Sequence, residues 1–281
     1  MRSFASYDGT RLIVTEVGGG PPLVCLPGGP GRAAAYLEDL GGLSASRTLV
    51  LLDPRAVGRS EVPADPATLH ATRLVDDVEA LRRDLGVERL DLLGHSAGTI
   101  VAQLWAAAHP DRVGSLVLVT PAAALQGFGR DDVPTIRAAR STEPWYADAA
   151  DAQEALDAGA PPAQQQALVR ATRPFFYGRW DERTQAHAAT ADTQSSKRAE
   201  LGFAAGPSPD LDALRGALAG VTEPVLVVGG ERDALTGVDA VHHVAAAFPA
   251  GRAVVLPGAG HFPWVDEPEA FRTVVSDFLA E

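Results

Sequence analysis

A single serine lies between a predicted strand and a predicted helix, and its neighbours leave the chain little freedom there. Residues 90–93 form a short apolar run, and residues 97–108 have the length and composition of a helix. Residues 94–98 read Gly-His-Ser-Ala-Gly, with the serine at position 96. A strand that turns this tightly into a helix brings the residues two before and two after Ser96 together, so both must be small. The motif predicts a strand-turn-helix unit that exposes the Ser96 hydroxyl at the carboxyl edge of a sheet.

Strand and helix patterns alternate on both sides of this motif. Apolar runs predict strands at residues 12–14, 22–26, 48–52, 90–93, 115–120, 225–228 and 253–256. Helical spacing predicts helices at residues 72–85, 97–108, 238–248 and 268–279. This alternation is typical of an α/β fold with a mostly parallel central sheet flanked by helices.

A nucleophilic serine needs a base, and the base needs an acid that orients it. Asp233 follows the predicted strand at 225–228, and His261 follows the one at 253–256. Both loops leave the carboxyl edge of the sheet, where ligands bind in open α/β folds. Ser96, Asp233 and His261 are therefore the predicted catalytic triad. Glu231 is the rival acid, but it lies closer to the end of its strand.

Two backbone N–H groups are predicted to stabilise the oxyanion of the reaction. One belongs to Ala97, next to the nucleophile, and the other to the loop after the early strand at 22–26. Residues 27–31 of that loop read Pro-Gly-Gly-Pro-Gly, and Gly29 is the candidate donor. Consecutive glycines allow close approach to a substrate, although an ordinary glycine turn is the alternative interpretation. One such donor contributes about 3 kcal/mol of transition-state stabilisation.

Residues 125–219 show no strand pattern and are rich in alanine, glutamine and proline. We interpret them as a helical cap inserted into an α/β core of residues 1–124 and 220–281. Aromatic side chains of this segment, with two beside the predicted base, are candidates for an apolar substrate-binding surface. The alternative is that they pack the small core of the cap itself. The candidates are Trp145, Phe175, Phe176, Tyr177, Trp180, Phe262 and Trp264.

The other histidines are weaker candidates. His95 adjoins the nucleophile and is expected to pack behind it, whereas His187 lies in the inserted segment and is a lesser candidate for contact with substrate. No pair of histidines combines metal-ligand spacing with a neighbouring carboxylate, so we expect no metal and no cofactor.

Charge and cysteine content limit the partners of the chain. The 281 residues carry a net charge of −12 without basic clusters, which argues against nucleic acid and against anionic membrane surfaces. Cys25 is the only cysteine, so no intrachain disulfide forms. No apolar run reaches the length of a membrane span, and no secretory signal pattern is present. We expect a cytoplasmic protein that acts on a small molecule or a short peptide. The oligomeric state stays open.

Together these motifs resemble the α/β-hydrolases, and more narrowly the proline iminopeptidase (peptidase S33-like) branch. The resemblance rests on residues 27–31, 53–60, 94–98 and 260–262 and on Asp233. It implies that Ser96, Asp233 and His261 are catalytic and that Gly29 and Ala97 form the oxyanion hole. It also implies a structural role for residues 53–60, with Arg55 held by nearby carboxylates.

Three positions depart from the pattern of that branch. Pro27 replaces a histidine, Ala56 replaces a glycine, and Ala97 stands where tryptophan is usual. Proline iminopeptidases bind the free amino group of the substrate with carboxylates of the cap. The acidic residues considered for that role are Glu143, Asp148, Asp151, Glu154, Asp181, Glu182 and Glu200.

These observations predict a serine hydrolase that cleaves a small, mainly hydrophobic ester, amide or lactone through an acyl-enzyme intermediate. A proline iminopeptidase-like aminopeptidase is one alternative. An acyltransferase with the same triad and a non-catalytic ligand-binding homologue are the others. Ser96 excludes the chemistry of dehalogenases and epoxide hydrolases, since these share the fold but use an aspartate nucleophile.

Overall fold

The computed structural model describes residues 1–122, 127 and 129–281. Within them, eight strands form one sheet in the order β1-β2-β4-β3-β5-β6-β7-β8. The strands are β1 (Arg2–Ala5), β2 (Arg11–Gly18), β3 (Pro22–Leu26), β4 (Thr48–Asp53), β5 (Leu90–His95), β6 (Val113–Val119), β7 (Val225–Gly230) and β8 (Gly251–Leu256). Strands β3 to β8 are parallel, and β1 and β2 form an antiparallel edge.

The helices of the described residues fall into two groups. Those that alternate with the strands are α1 (Ala71–Asp84), α2 (Ala97–Ala108), α10 (Asp239–Ala246), α11 (Pro263–Asp266) and α12 (Pro268–Leu279). Those between β6 and β7 are α3 (Val133–Ala138), α4 (Tyr146–Asp157), α5 (Pro162–Thr172), α6 (Glu182–Ala189), α7 (Ala191–Gln194), α8 (Lys197–Phe203) and α9 (Leu211–Leu218). Short 3-10 segments cover Ala34–Leu37, Leu43–Ala45, Pro66–Leu69, Pro110–Arg112 and Arg173–Phe176.

Successive residues of a strand point to opposite faces of the sheet, so both faces carry apolar side chains. In β3, Val24 joins a core beneath α1, α2, α9 and α10, while Leu23 and Cys25 join a second core beneath α12. A sheet buried on both sides explains why the parallel strands are apolar almost throughout. The predicted mostly parallel sheet flanked by helices is confirmed.

The amino-terminal edge of the sheet differs from the prediction. Strand β1 was not predicted, because Phe4 is its only buried apolar residue and a single apolar position gives no strand pattern. Strand β2 extends from Arg11 to Gly18 and pairs with β1 and β4 in antiparallel fashion. The polar outward residues of β2 explain why only 12–14 stood out in the sequence.

The described part of the segment between β6 and β7 consists of helices joined by loops, without a strand. The predicted boundary at residues 124 and 125 lies outside the described residues. Helix α9 lies within the predicted cap range, yet Leu214 and Leu218 of this helix belong to the core beneath the sheet. No described helix has the length and apolar character needed to cross a bilayer.

Candidate active site

Ser96 lies at the junction of β5 and α2 in a strained backbone conformation, with φ 51° and ψ −119°. The space around this turn explains the two glycines of the motif. A Cβ atom added to Gly94 would lie 2.8 Å from the Gly98 carbonyl oxygen, and one added to Gly98 would lie 2.4 Å from that of Leu26. The Ser96 N–H donates to the Val119 carbonyl at 2.9 Å, which anchors the turn to β6.

Asp233 and His261 meet at the carboxyl edge of the sheet. His261 Nδ1 lies 2.9 Å from Asp233 Oδ2, and both residues are buried. Asp233 also accepts hydrogen bonds from the Leu235 and Thr236 N–H groups and from the Thr236 hydroxyl. Burial alone raises the pKa of Asp233, but the His261 imidazole and these hydrogen bonds bring the net pKa below its usual value. The carboxylate therefore stays ionised and oriented.

Glu231, the rival acid, points elsewhere. One of its carboxylate oxygens accepts the Gly258 N–H at 3.0 Å, and the side chain is exposed. His261 makes its carboxylate contact with Asp233 instead.

The loop after β3 contacts the turn that carries the nucleophile. A Cβ atom on Gly28 would lie 2.8 Å from Ser96 Cβ, so only glycine fits there. The Gly28 N–H is already bound, since it donates to the Tyr36 hydroxyl at 2.7 Å. Gly29, with φ +117°, is the loop glycine that borders the cavity described below. Ala97 begins α2, so its N–H has no acceptor within the helix. Gly29 and Ala97 stay the predicted oxyanion donors.

One hydrogen-bonded chain joins the three loops of the site. The Tyr36 hydroxyl lies 2.6 Å from His95 Nδ1, and His95 Nε2 lies 2.9 Å from the His261 carbonyl oxygen. Burial and the neighbouring His261 lower the pKa of His95 well below its usual value, so its ring is neutral. A carbonyl oxygen only accepts, which places the His95 proton on Nε2 and lets Tyr36 donate to Nδ1. His95 thus packs behind the nucleophile, as predicted, and connects the Gly28 loop to the His261 loop.

Ser96 and His261 line the same cavity, whose volume is about 620 Å³. Three of the predicted substrate-binding aromatic residues line it too, namely Phe176, Tyr177 and Phe262. Tyr177 and Phe262 stack with ring centroids 4.9 Å apart. The cavity thus has an apolar wall next to the predicted nucleophile and base.

The other four aromatic candidates are not among the residues that line this cavity. Trp145 and Phe175 meet edge to face and join Ala149 and Ala234 in a small separate core. Trp180 lies against Tyr177, and Trp264 is buried between His95 and Phe271. Some of the seven aromatic candidates therefore line the cavity, and the others pack within the protein.

His187 and Glu200, both in the inserted segment, have protein partners. His187 Nε2 lies 2.9 Å from the Tyr36 carbonyl oxygen, and its Nδ1 lies 2.8 Å from the Tyr177 hydroxyl. Burial lowers the pKa of His187 to about 4. Of the acidic candidates from the sequence, Glu200 borders the cavity, where it forms an ion pair with Lys197.

The sequence did not single out Asp192, Tyr36 or Arg32, which also line the cavity. Asp192 forms ion pairs with Arg170 and Arg173. Among the described residues, no cluster of three histidine, cysteine or acidic side chains is arranged to hold a metal ion.

The fold agrees with comparisons to known proteins. The chain matches the α/β-hydrolase fold family over residues 21–268. It belongs to that family. A proline iminopeptidase of Heyndrickxia coagulans is 25% identical over 289 residues, which cover 99% of this chain and 94% of that protein. The predicted resemblance to the proline iminopeptidase branch is thereby confirmed.

Solved structures of α/β-hydrolases superpose on nearly the whole chain. The esterase EaEST from Exiguobacterium antarcticum has a TM-score of 0.76 at 20% identity, with 99% of both chains covered. A proline iminopeptidase from Mycobacterium smegmatis has a TM-score of 0.75 at 24% identity, with 99% of this chain and 98% of that chain covered. At these identities the two structures establish the shared α/β-hydrolase fold.

Arg55, which the resemblance assigns to a structural cluster, lies away from the cavity lining. Its Nε donates to Asp77 Oδ2 at 2.7 Å, and its Nη1 contacts Asp8. The side chain also donates to the hydroxyl groups of Thr10 and Thr68. The predicted contact of Arg55 with local carboxylates is confirmed.

Proposed function

We propose that this α/β-hydrolase is a serine hydrolase that cleaves a small ester, amide or lactone with an apolar body. The supporting observation is the 2.9 Å contact between His261 Nδ1 and Asp233 Oδ2 beside a cavity that Ser96 and His261 both line. The paired acid and base and the shared cavity support the proposal that Ser96, His261 and Asp233 act as nucleophile, base and acid in acyl transfer.

The proposed reaction has two steps. His261 Nε2 accepts the proton of the Ser96 hydroxyl as Oγ attacks the substrate carbonyl, and Asp233 stabilises the imidazolium that forms. The Gly29 and Ala97 N–H groups donate to the oxyanion. His261 then gives its proton to the leaving group, which yields the acyl-enzyme. Water, activated by the same histidine, attacks the acyl carbonyl and releases the acid.

We assign the role of a cap to residues 125–219. Phe176 and Tyr177 come from this segment and, with Phe262, form the apolar wall of the cavity. An apolar wall beside the nucleophile favours a substrate with a hydrophobic body. Replacement of Phe176 therefore changes which acyl chains are accepted, without removing the reacting groups.

The nucleophile assignment is tested by Ser96→Ala with Ser195→Ala as the matched control, because Ser195 borders the same cavity. We expect Ser96→Ala to lower kcat on short para-nitrophenyl esters by a factor on the order of 10⁶. A fluorophosphonate probe labels the wild type and Ser195→Ala, and it leaves Ser96→Ala unlabelled. Turnover by Ser96→Ala near the wild-type rate would refute the mechanism.

Aminopeptidase activity on amino-terminal proline is the second candidate, because the Heyndrickxia coagulans relative spans nearly the whole chain. The cavity is less suited to a free amino group, since Asp192 and Glu200, which border it, are both ion-paired. Rates on proline para-nitroanilide and on a short acyl ester distinguish the two. An added alcohol that diverts the acyl group to a new ester would indicate an acyltransferase, and absence of labelling at Ser96 would indicate a binding protein.

A further inference from the structure

Arg32 carries a buried positive charge at the cavity without a carboxylate partner. Its relative exposure is 7%, and no carboxylate of the described residues lies within ion-pair distance. Residues 123–126 and 128 contain no acidic side chain, so the rest of the chain cannot supply one. Buried charges in proteins are ordinarily paired, because an ion without a counter-charge is costly to remove from water.

The neutral contacts of Arg32 leave part of the guanidinium unused. Nη2 donates to Thr190 Oγ1 at 2.8 Å and to the His187 carbonyl at 3.4 Å. Nε is buried and has no acceptor among the described residues. The guanidinium carbon lies 4.0 Å above the Tyr36 ring and 5.6 Å from that of Phe262. A guanidinium over an aromatic ring keeps its N–H edge free for a planar acceptor.

The backbone holds Arg32 close to the predicted oxyanion loop. Its N–H donates to the Gly28 carbonyl at 3.2 Å, and the residue pairs with Ser195 in an isolated β-bridge. Arg32 follows Gly29 by three residues and lines the same cavity as Ser96. Its charge is therefore fixed relative to the predicted reacting groups.

The other charges that line the cavity neutralise one another. Arg173 forms an ion pair with Asp192, and Lys197 forms one with Glu200. The lining thus holds three cations and two carboxylates in a protein whose net charge is −12. The unpaired charge is Arg32, which attracts an anion and repels an ammonium group.

We propose that Arg32 binds a carboxylate carried by the substrate, so that the preferred substrates are half-esters or lactones with a free carboxylate. This inference rests on the proposed hydrolase function and narrows its substrate class. A planar carboxylate matches the fork geometry of a guanidinium and supplies the counter-charge that the protein does not provide. The apolar wall of Phe176, Tyr177 and Phe262 contacts the chain between the carboxylate and the ester.

The test compares the mono-para-nitrophenyl ester of glutarate with the methyl ester of the same compound, after subtraction of the enzyme-free rates. The succinate and adipate pairs vary the distance between ester and carboxylate. We expect the wild type to prefer the half-ester in at least one pair. Arg32→Met should lower kcat/KM for that half-ester by roughly 30-fold or more, because a buried charge partner is lost. Its kcat/KM for the methyl ester should stay within about threefold of the wild type.

Three variants distinguish substrate binding from support of the fold. Arg173→Met removes a cation that already has a partner, and we expect the preference to survive. Thr190→Val removes a hydrogen bond of Arg32 but keeps its charge, and the preference should again survive. Arg32→Lys keeps the charge without the planar edge and should retain part of the preference. An equal loss on both esters in Arg32→Met would assign Arg32 a structural role and overturn the inference.

A binding measurement makes the inference independent of turnover. Calorimetry on Ser96→Ala should show tighter binding of the half-ester than of the methyl ester, and Arg32→Met in that background should abolish the difference. Equal binding of the two esters would overturn the inference while the hydrolase assignment stands. Preferential half-ester binding without Ser96 labelling would instead refute the proposed function and leave the anion site in place.

Discussion

Arg55, Arg140 and Arg32 are the almost completely buried arginines of the described residues, and the surroundings of Arg55 and Arg32 differ in kind. Arg55 is 1% exposed and Arg32 is 7% exposed. Arg55 donates to Asp77 and Asp8, whereas the acceptors of the Arg32 side chain within the described part of the chain are a hydroxyl and a backbone carbonyl. The two side chains are therefore similarly buried, but carboxylates neutralise Arg55 and none of those described neutralises Arg32.

The Arg55 region is built to hold elements together. Asp8 and Thr10 belong to the turn between β1 and β2, and Asp77 belongs to α1. One side chain thus ties the antiparallel edge of the sheet to a core helix. The Arg32 region borders the cavity with Ser96 and His261, and Arg32 Nε has no acceptor among the described residues. Arg55 and the proposed binding residue Arg32 therefore differ in whether their charge is paired, and not in their degree of burial.

The strongest test of this difference is Arg55→Met. Removing one partner leaves Asp77 buried and uncompensated, so we expect the free energy of unfolding to fall by about 3–5 kcal/mol. Urea denaturation measures the change. The double variant Arg55→Met with Asp77→Leu should recover most of the loss, because the stranded charge is gone. A single variant as stable as the wild type would contradict the structural role.

A buried carboxylate tests the same idea with the opposite charge. Asp266 Oδ2 accepts the Gly178 and Gly260 N–H groups, but Oδ1 is buried and has no partner among the described residues. Burial raises the pKa of Asp266 from 3.8 to about 6, although the two hydrogen bonds oppose the shift. At a pH between these two pKa values, the folded state therefore binds more protons than the unfolded state. This contribution to stability is fully present below the lower value and is lost as pH rises through the upper one.

Asp266→Asn removes that titration. Relative to the wild type, the variant should gain about 3 kcal/mol of stability between acidic and neutral pH, since one pKa unit corresponds to about 1.4 kcal/mol. Urea denaturation of both proteins across this range provides the measurement. A constant difference between the two curves would show that Asp266 does not titrate there.

Tyr36→Phe separates the role of the Tyr36 ring from that of its hydroxyl group. The variant keeps the aromatic face beneath Arg32 but removes the hydroxyl that contacts Gly28 and His95. We expect a stability loss of about 2 kcal/mol, since buried polar groups lose their partner. kcat should fall equally on charged and neutral esters, so that the preference ratio stays the same. A changed ratio would mean that the hydroxyl itself contributes to anion binding.

The smallest expected stability change belongs to Arg32→Met. The variant loses two hydrogen bonds and a cation–π contact, but it also removes a buried charge without a counter-ion. These effects oppose each other, so the free energy of unfolding should change by about 1 kcal/mol or less. A loss comparable to that of Arg55→Met would eliminate the contrast between the two regions.

Sequence patterns predicted the sheet and the position of Asp233 and His261 at its carboxyl edge, because each residue follows a predicted strand within a few positions. Arg55 was recognisable from its motif by resemblance. Arg32 had no such signal, since it follows a Gly-Pro-Gly turn and its distinguishing property is the absence of a partner. The absence of a partner depends on the position of every acidic side chain in the folded protein. Local sequence patterns do not encode these positions. For the same reason, the sequence did not show which aromatic residues of the inserted segment line the cavity and which pack in its small core.

The chain from Gly28 through Tyr36 and His95 to the His261 carbonyl has a practical consequence for engineering. Loops of α/β-hydrolases are natural units for grafting between relatives. In this protein, however, Gly28 of the loop after β3 is hydrogen-bonded to Tyr36, which in turn is hydrogen-bonded to His95. Without Tyr36 the Gly28 N–H would lose its acceptor, and without His95 the Tyr36 hydroxyl would lose the acceptor of its proton. A functional graft has to carry Tyr36 and His95 with it as one unit.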